Sequence, residues 1–468
     1  MADKWVPLPI YAPVYTNVDE TALRNGQAAL ENGFVTEARG HSRFPGLKLW
    51  ATLPTGGRVY PTKWRGDLLC TTSLGRVYLC GQDRTIQDVT GVLVTGGERP
   101  TFAATDEQVM IAAGGPIVTL REAATTLLSD DAPETTHVGY IDAYAMAIEP
   151  GSARFRYSDA GLYSSWPGLN TETANAQSDA LVAMLVNDFA EVLLCGPLSI
   201  EQWERNTGGT SRAFFRRWTV PTGLYSPYAI ARADNAVFLV NKQREIARVS
   251  GQLAAPISRP IQLTLEEIDD WSGAWMAPAD IGGQRFIILQ MPEATNAYGA
   301  RGVTIAYDYA QKRYSFLYGF DEAEGVPSRW YGWGIEAQWT QTFVGGDDGR
   351  IYTFDADTFA QDAGPMHMLG RTGHFDLGYR AQVNDLRIRM RRGQDTTGTG
   401  VIQVRVNRDN RGWLKWLSFP IGAAGDRHMH IRTGPLGTAN AWQFEYRVID
   451  AMPIEIVEMA IRPERVGG

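Results

Sequence analysis

Six histidines, His41, His137, His367, His374, His428 and His430, and three cysteines, Cys70, Cys80 and Cys195, are the side chains that could ligate a metal or act as nucleophiles. Only His428 and His430 are close, and on a strand a spacing of two puts them on one face. With no cysteine nearby they make a poor zinc site. Cys70 and Cys80 flank a turn at Leu74-Gly75 and could face each other across a hairpin. Three cysteines do not make a disulfide framework, so they read as small buried hydrophobes. The carboxylates of Thr264-Leu265-Glu266-Glu267-Ile268-Asp269-Asp270-Trp271 could form an acid or metal cluster, but Thr264 with Glu267 fits a capping box. They therefore read as caps and solvated surface of the one convincing helix. The phosphate loop, the dinucleotide fingerprint, the nucleophile elbow and H-E-x-x-H are all missing. No catalytic, cofactor-binding or metal residue is assigned, no cofactor is expected, and a non-enzymatic role follows.

Two features could serve sugar chemistry. Tyr157-Ser158-Asp159-Ala160-Gly161-Leu162-Tyr163-Ser164-Ser165-Trp166 approaches the sialidase Asp-box, S-x-D-x-G-x-x-W, but Ser158 directly precedes Asp159, Trp166 falls two residues late, and the motif occurs once. Trp330-Tyr331-Gly332-Trp333 with Trp339 could stack on sugar rings, although aromatics in strand-rich sequence usually fill a core. A retaining glycosidase also needs two carboxylates about 5 Å apart, and no pair stands out among 52 acidic residues. A carbohydrate-active or carbohydrate-binding propeller is the alternative function.

The elements that would position such groups are almost all strands. There are 49 glycines, 24 prolines and 11% aromatic residues among 468, a composition favouring turns and strands over long helices. Gly57-Arg58-Val59-Tyr60 recurs as Gly75-Arg76-Val77-Tyr78 and Gly349-Arg350-Ile351-Tyr352. In Phe343 to Phe354 the Asp348-Gly349 step separates two apolar runs, a strong hairpin signal. Hairpin-like stretches repeat every 40–50 residues, at Val109 to Leu120, Asp179 to Gln202, Ala236 to Ser250 and Arg285 to Phe316. The expected fold is all-β: a β-propeller of about six four-stranded blades over 51–368.

Residues 1–50 form an extended arm in which Pro7, Pro9 and Pro13 forbid a central strand, so it runs along an edge or reaches a neighbouring subunit. From 369 to 468, Leu386, Ile388 and Met390 alternate with arginines, Ile402, Val404 and Val406 with polar residues, and Phe444, Tyr446 and Val448 with Glu445 and Arg447. This predicts a C-terminal β-sandwich with one face in a core and the other in water.

The net charge of −8 divides unevenly. From Arg371 onward 15 Lys and Arg face 10 Asp and Glu, a net +5, and the remainder carries 29 against 42, a net −13. Tight wrapping of nucleic acid needs a basic footprint, which this lacks. The first residues show no secretory signal, and the apolar run Ala180 to Val186 is too short to span a bilayer. A soluble protein made in a cytoplasm is expected, with no membrane-spanning segment.

The order of several segments resembles the tail nozzle, or packaged-DNA stabilisation, proteins of short-tailed bacteriophages. The resemblance is carried by the proline-rich arm ending at Arg43-Phe44-Pro45-Gly46-Leu47 and by Arg154-Phe155-Arg156-Tyr157-Ser158-Asp159 through Trp166. Its most specific part is Val192 to Trp203, with Gly196, Ser199, Glu201 and Trp203 in a G-x-x-S-x-E-x-aromatic pattern before Thr207-Gly208. Ile257-Ser258 to Ile268 and Phe444-Glu445-Tyr446-Arg447 follow in the family's order. The resemblance implies a virion tail protein assembled in the bacterial cytoplasm. It implies a homohexameric ring under the portal and adaptor (head-to-tail connector) protein, seating a tail fibre or spike and a needle or plug. Such a ring closes the tail after packaging, retains the genome, and becomes the conduit for non-specific passage of double-stranded DNA. An acidic channel wall would let phosphate slide without sticking.

Overall fold

The computed structural model describes residues 5–466 apart from 11–12, 18–26, 37–39, 123, 130, 178, 209–211, 363, 393–399 and 423–427, and leaves out the side chains of residues 392, 422 and 428–430. The expected all-β propeller is present. Five four-stranded antiparallel sheets are each built from consecutive strands, and a sixth antiparallel group of four consecutive strands, from Trp275–Ile281 to Arg313–Phe316, belongs to a larger sheet. Their innermost strands are Val59–Trp64, Thr101–Ala104, Val138–Ile141, Ala183–Val186, Ile230–Ala233 and Trp275–Ile281. A composite sheet closes the ring. Gly334–Gln338, Gln341–Gly345 and Arg350–Asp355 receive their outer strand, Gly46–Thr52, from the other end of the chain. A repeat count along the sequence sees six blades because the seventh is assembled from two distant pieces.

Neighbouring blades pack face to face, which explains the second strands. Gln108–Ala112 and Ala236–Val240 are buried at every position, because both faces of the sheet meet another blade. Each seam holds its own apolar core. Trp64, Leu69 and Val109 lie between the first and second blades, and Trp50, Leu68 and Phe343 between the composite blade and the first. The outermost strands, such as Ile86–Asp88 and Thr126–Leu128, are short and mostly exposed. Asp348 and Gly349, with φ of 54° and 74°, supply the two left-handed residues that the Gln341–Asp355 hairpin turn requires.

The helix differs from its expectation. Arg259–Ile261 is a 3-10 turn with Pro260 inside it, and the α-helix runs Gln262–Glu266. Proline sets the first turn early, so Thr264 is an interior residue and Glu267 the C-cap. The Thr264–Glu267 capping box does not form, and the Thr264 hydroxyl meets that of Thr16 at 2.5 Å. Asp269 instead accepts from the Thr295 amide and hydroxyl, and Asp270 from the Ser272 amide.

The C-terminal strands, expected to form a sandwich, belong to one hydrogen-bonded sheet in which Phe375–Arg392 pairs with Gly437–Val448, and they share one core. Phe375–Arg392 pairs with Ile454–Arg465 and His428–Arg432, and Gly437–Val448 pairs with Gly400–Arg408 and Met368–Thr372. Leu386, Ile388, Met390, Ile402, Val404, Val406, Phe444 and Ile456 meet in that core. The arm is its edge and its bridge. Val6–Pro7 pairs with Ile461 and Ala460, and Leu8 and Ile10 enter the core. Gln27–Glu31 pairs antiparallel with Met368–Thr372 and meets Phe316 of the sixth blade in parallel, so one hydrogen-bonded sheet runs from propeller to C-terminal strands.

One side of the alternation needs correction. Arg387 and Arg389 both pair with Glu458, and Arg391 pairs with Glu455, on the solvated face as expected. Glu445, expected in water, is fully buried. It binds Arg405 at 2.9 Å and Arg371 at 3.2 Å, while Arg405 stacks on Trp413 and Trp416. This second face is covered because the strand lies mid-sheet and cation-stacked indoles roof it.

Candidate functional site

The singled-out chemical residues mostly support the fold. All three cysteines are free and buried, and Cys70 and Cys80 lie near each other across their hairpin. Asp159 sits in the turn between the third and fourth strands of its blade, accepting from Ser165 Oγ at 2.7 Å and Asn170 Nδ2 at 3.0 Å, with Trp166 buried behind it. Trp330 is a core residue, Trp333 donates to Asp347, and Trp339 packs against Trp50 and Phe343 while donating to the Gly66 carbonyl. Glu201, in the G-x-x-S-x-E-x-aromatic stretch, is buried, accepts from Trp203 Nε1 at 2.8 Å and pairs with Arg216 at 3.5 Å. His428 and His430 carry side chains outside the described residues. Among the described residues, no group of three His, Cys, Asp or Glu could hold a metal, and no helix is long and apolar enough to cross a membrane.

Two constructions remain. The first is an axial cavity of about 760 Å³, walled by the innermost strands of all the blades. Lys63, Arg232, Arg285, Asp280 and Glu336 line one end, and Arg99, His137 and Tyr228 the other. Burial pushes the Glu336 carboxyl above its usual range, partly offset by Lys63. Arg232 is matched by Asp188 at 3.2 Å. At the far end His137 stacks on Tyr228 at 5.1 Å, and burial holds its imidazole neutral, its pKa lowered to about 4. The Arg99 guanidinium lies 4.6 Å from the Trp275 ring centre and 5.1 Å from that of Tyr60, and donates to the Trp333 carbonyl. Arg99 stands in the loop Gly96-Gly97-Glu98-Arg99-Pro100, where no sequence pattern marks it.

The second construction is the junction between propeller and C-terminal strands. Glu31 is buried and accepts from Tyr298 Oη at 2.8 Å, near Arg371 and Glu445. Burial raises its pKa to about 7 against the lowering by Tyr298 and Arg371. Beyond it, His41 contacts Gln27 Nε2 at 3.0 Å and the Tyr446 hydroxyl, and burial lowers its pKa to about 4. These opposite shifts give opposite pH dependences. For Glu31 the folded pKa is raised, so its contribution is full below about pH 4.5 and is lost as pH rises to about 7. Glu31→Gln should therefore stabilise the protein at pH 8, by at most about 3 kcal/mol, and do little at pH 4. For His41 the folded pKa is lowered, so stability is lost as pH falls from about 6.5 to about 4. Urea midpoints of wild type, Glu31→Gln and His41→Gln between pH 4 and 8 check both signs.

The fold and these sites define a class: a β-propeller whose distinctive residues build seams, turns and a bridge to a C-terminal body. The chain belongs to the phage-stabilisation family described as bacteriophage P22 Gp10, beta-propeller, whose family model matches residues 29–359. It is a bacteriophage structural protein. No curated protein sequence matches it. Among solved structures it is similar to PorZ, a bacterial surface component of the type-IX secretion system of Porphyromonas gingivalis, at 11% identity and a TM-score of 0.40, covering 80% of this chain and 46% of that one. The chain thus spans about half the length of PorZ. It is also similar to the computationally designed Ika8 protein at 10% identity and a TM-score of 0.38, covering 66% of this chain and 99% of that one. A third similarity is to YCF48 bound to D1 peptide, at 12% identity and a TM-score of 0.39, covering 67% and 98%.

Proposed function

We propose that this protein is the tail nozzle subunit of a short-tailed phage, working by shape and self-association rather than by bond-making. In this reading six copies form a ring beneath the adaptor protein, close the tail after packaging, retain the genome and guide it out on ejection. Tail fibre or spike and needle or plug proteins attach to that ring. The family match over residues 29–359 carries the reading. A physical argument adds a constraint. The cavity along the propeller axis, about 760 Å³, is the size of a small-molecule pocket, and a duplex whose major groove alone is about 12 Å wide does not fit it. Any DNA channel must therefore lie between subunits, around a cyclic axis that needs two different complementary faces on each copy. Part of the acidic excess of residues 1–370 would face that lumen.

Native mass spectrometry or negative-stain imaging tests this. The expected particle has six times the 51.7 kDa subunit mass. A monomer at every concentration, with and without the adaptor, overturns it. Double-stranded DNA should show no retention in a mobility shift at about 150 mM salt, because few phosphates can be neutralised.

A further inference from the structure

The axial cavity contains a guanidinium that forms no ion pair among the described residues. Arg99 comes from the loop leading into the second blade, and its guanidinium is held between the rings of Tyr60 and Trp275. One N–H donates to the Trp333 carbonyl. A guanidinium carries five N–H donors in a fixed fork, and Arg99 has no ion pair and no second hydrogen bond among the described residues. Its neighbours are otherwise engaged. The Tyr228 hydroxyl donates to Glu98, and His137 hydrogen-bonds the Thr136 hydroxyl and the Pro227 backbone. Arg99 lines both the axial cavity and a second recess of about 410 Å³ at the propeller mouth, shared with Arg58, Tyr225, Trp271, Trp333 and one carboxylate, Glu98, which accepts from Tyr228 and forms no ion pair with Arg99. Arg58 is stacked on Trp333 at 3.8 Å, so a second guanidinium borders the same opening. Elsewhere in this chain Arg405 and Arg371 are matched by Glu445, Arg387 by Glu458 and Arg329 by Asp347, while the buried Arg43 is satisfied by several backbone carbonyls, where Arg99 has one.

We propose that the Arg99 end of the axial cavity is a binding site for a small oxyanion, a phosphate or carboxylate, seated on the guanidinium fork between the two spaces. The geometry suits bidentate recognition, which is stronger and more directional than a point charge. The aromatic walls exclude water from one side and so strengthen it. This goes beyond the conduit role, because the cavity lies on the axis of a single propeller and is complete in one chain.

The test is isothermal titration of the full chain at low ionic strength with two probes, sodium pyrophosphate and sodium citrate. Saturable one-to-one binding by either probe is expected, and whichever binds more tightly identifies phosphate or carboxylate as the favoured group. Arg99→Met should weaken binding at least about tenfold, the loss of one charge-assisted contact. Arg99→Lys keeps the charge without the fork and should bind several-fold more weakly than wild type. The lysine variant decides the matter if the methionine variant fails to fold. No saturable binding of either probe up to about 10 mM, the weak end of useful affinities, overturns the proposal. So does wild-type affinity in the folded variants. Neither result bears on the ring, which is read by mass.

Discussion

A chain lacking residues 1–52 should not reach the native propeller. Gly46–Thr52 completes the composite blade by pairing with Arg350–Asp355. Gln27–Glu31 bridges the sixth blade and the C-terminal strands. Leu30, Phe34, Phe44, Leu47 and Trp50 are all buried from this stretch. At about 1.5–3 kcal/mol for each buried large side chain, their loss is comparable with the 5–15 kcal/mol that holds an ordinary domain together. Removal also bares the edge of Arg350–Asp355, a template for aggregation. The expected result is loss of the cooperative unfolding transition and of near-ultraviolet dichroism. A synthetic peptide of residues 27–52 should restore part of both. A truncated chain that melts like wild type would contradict the closure described above. Gly46→Val offers a point test in the same seam, because a Cβ there would collide with the Ala360 carbonyl oxygen.

Glu445→Ala should be among the most destabilising single substitutions. The carboxylate is fully buried and answers both Arg371 and Arg405, with Arg447 stacked on Trp416 nearby. Removing it leaves partly buried like charges facing one another. Breaking a buried pair from one side costs about 3–5 kcal/mol, far more than the pair contributes against an apolar replacement. Urea midpoints measure it, and a change below about 1 kcal/mol, the range of a surface pair, would show that the arginines relax into solvent.

These two predictions fall where the sequence was hardest to read. Hairpins were legible because their signals are local. Asp348-Gly349 marks its turn by chemistry alone, and the alternation from Leu386 to Met390 and from Ile402 to Val406 marks a face. The composite blade was not, because Gly46–Thr52 and its partner lie about 300 residues apart and no local pattern joins them. Alternation also misplaced Glu445. It says which residues share a face, not whether something covers that face. The helix start was misread at Thr264 because Pro260, two residues before the α-helix, set the first turn. Of the axial cavity nothing was visible in advance. Its wall takes two to six residues from each blade, in short stretches scattered from Thr62 to Ala337 that no local pattern joins.

The meeting of the chain's two ends sets a timetable for synthesis. At about 5–20 residues per second, some 15–60 seconds separate the emergence of Gly46–Thr52 from that of its partner strand. Val6–Pro7 waits longer still, for Ala460 and Ile461. During that interval a sticky leader trails from the ribosome with nothing to hold it. Slower growth, cooler induction or extra holdase chaperone should therefore raise the soluble yield, and a circular permutant opening after Thr52 should lessen the need for them.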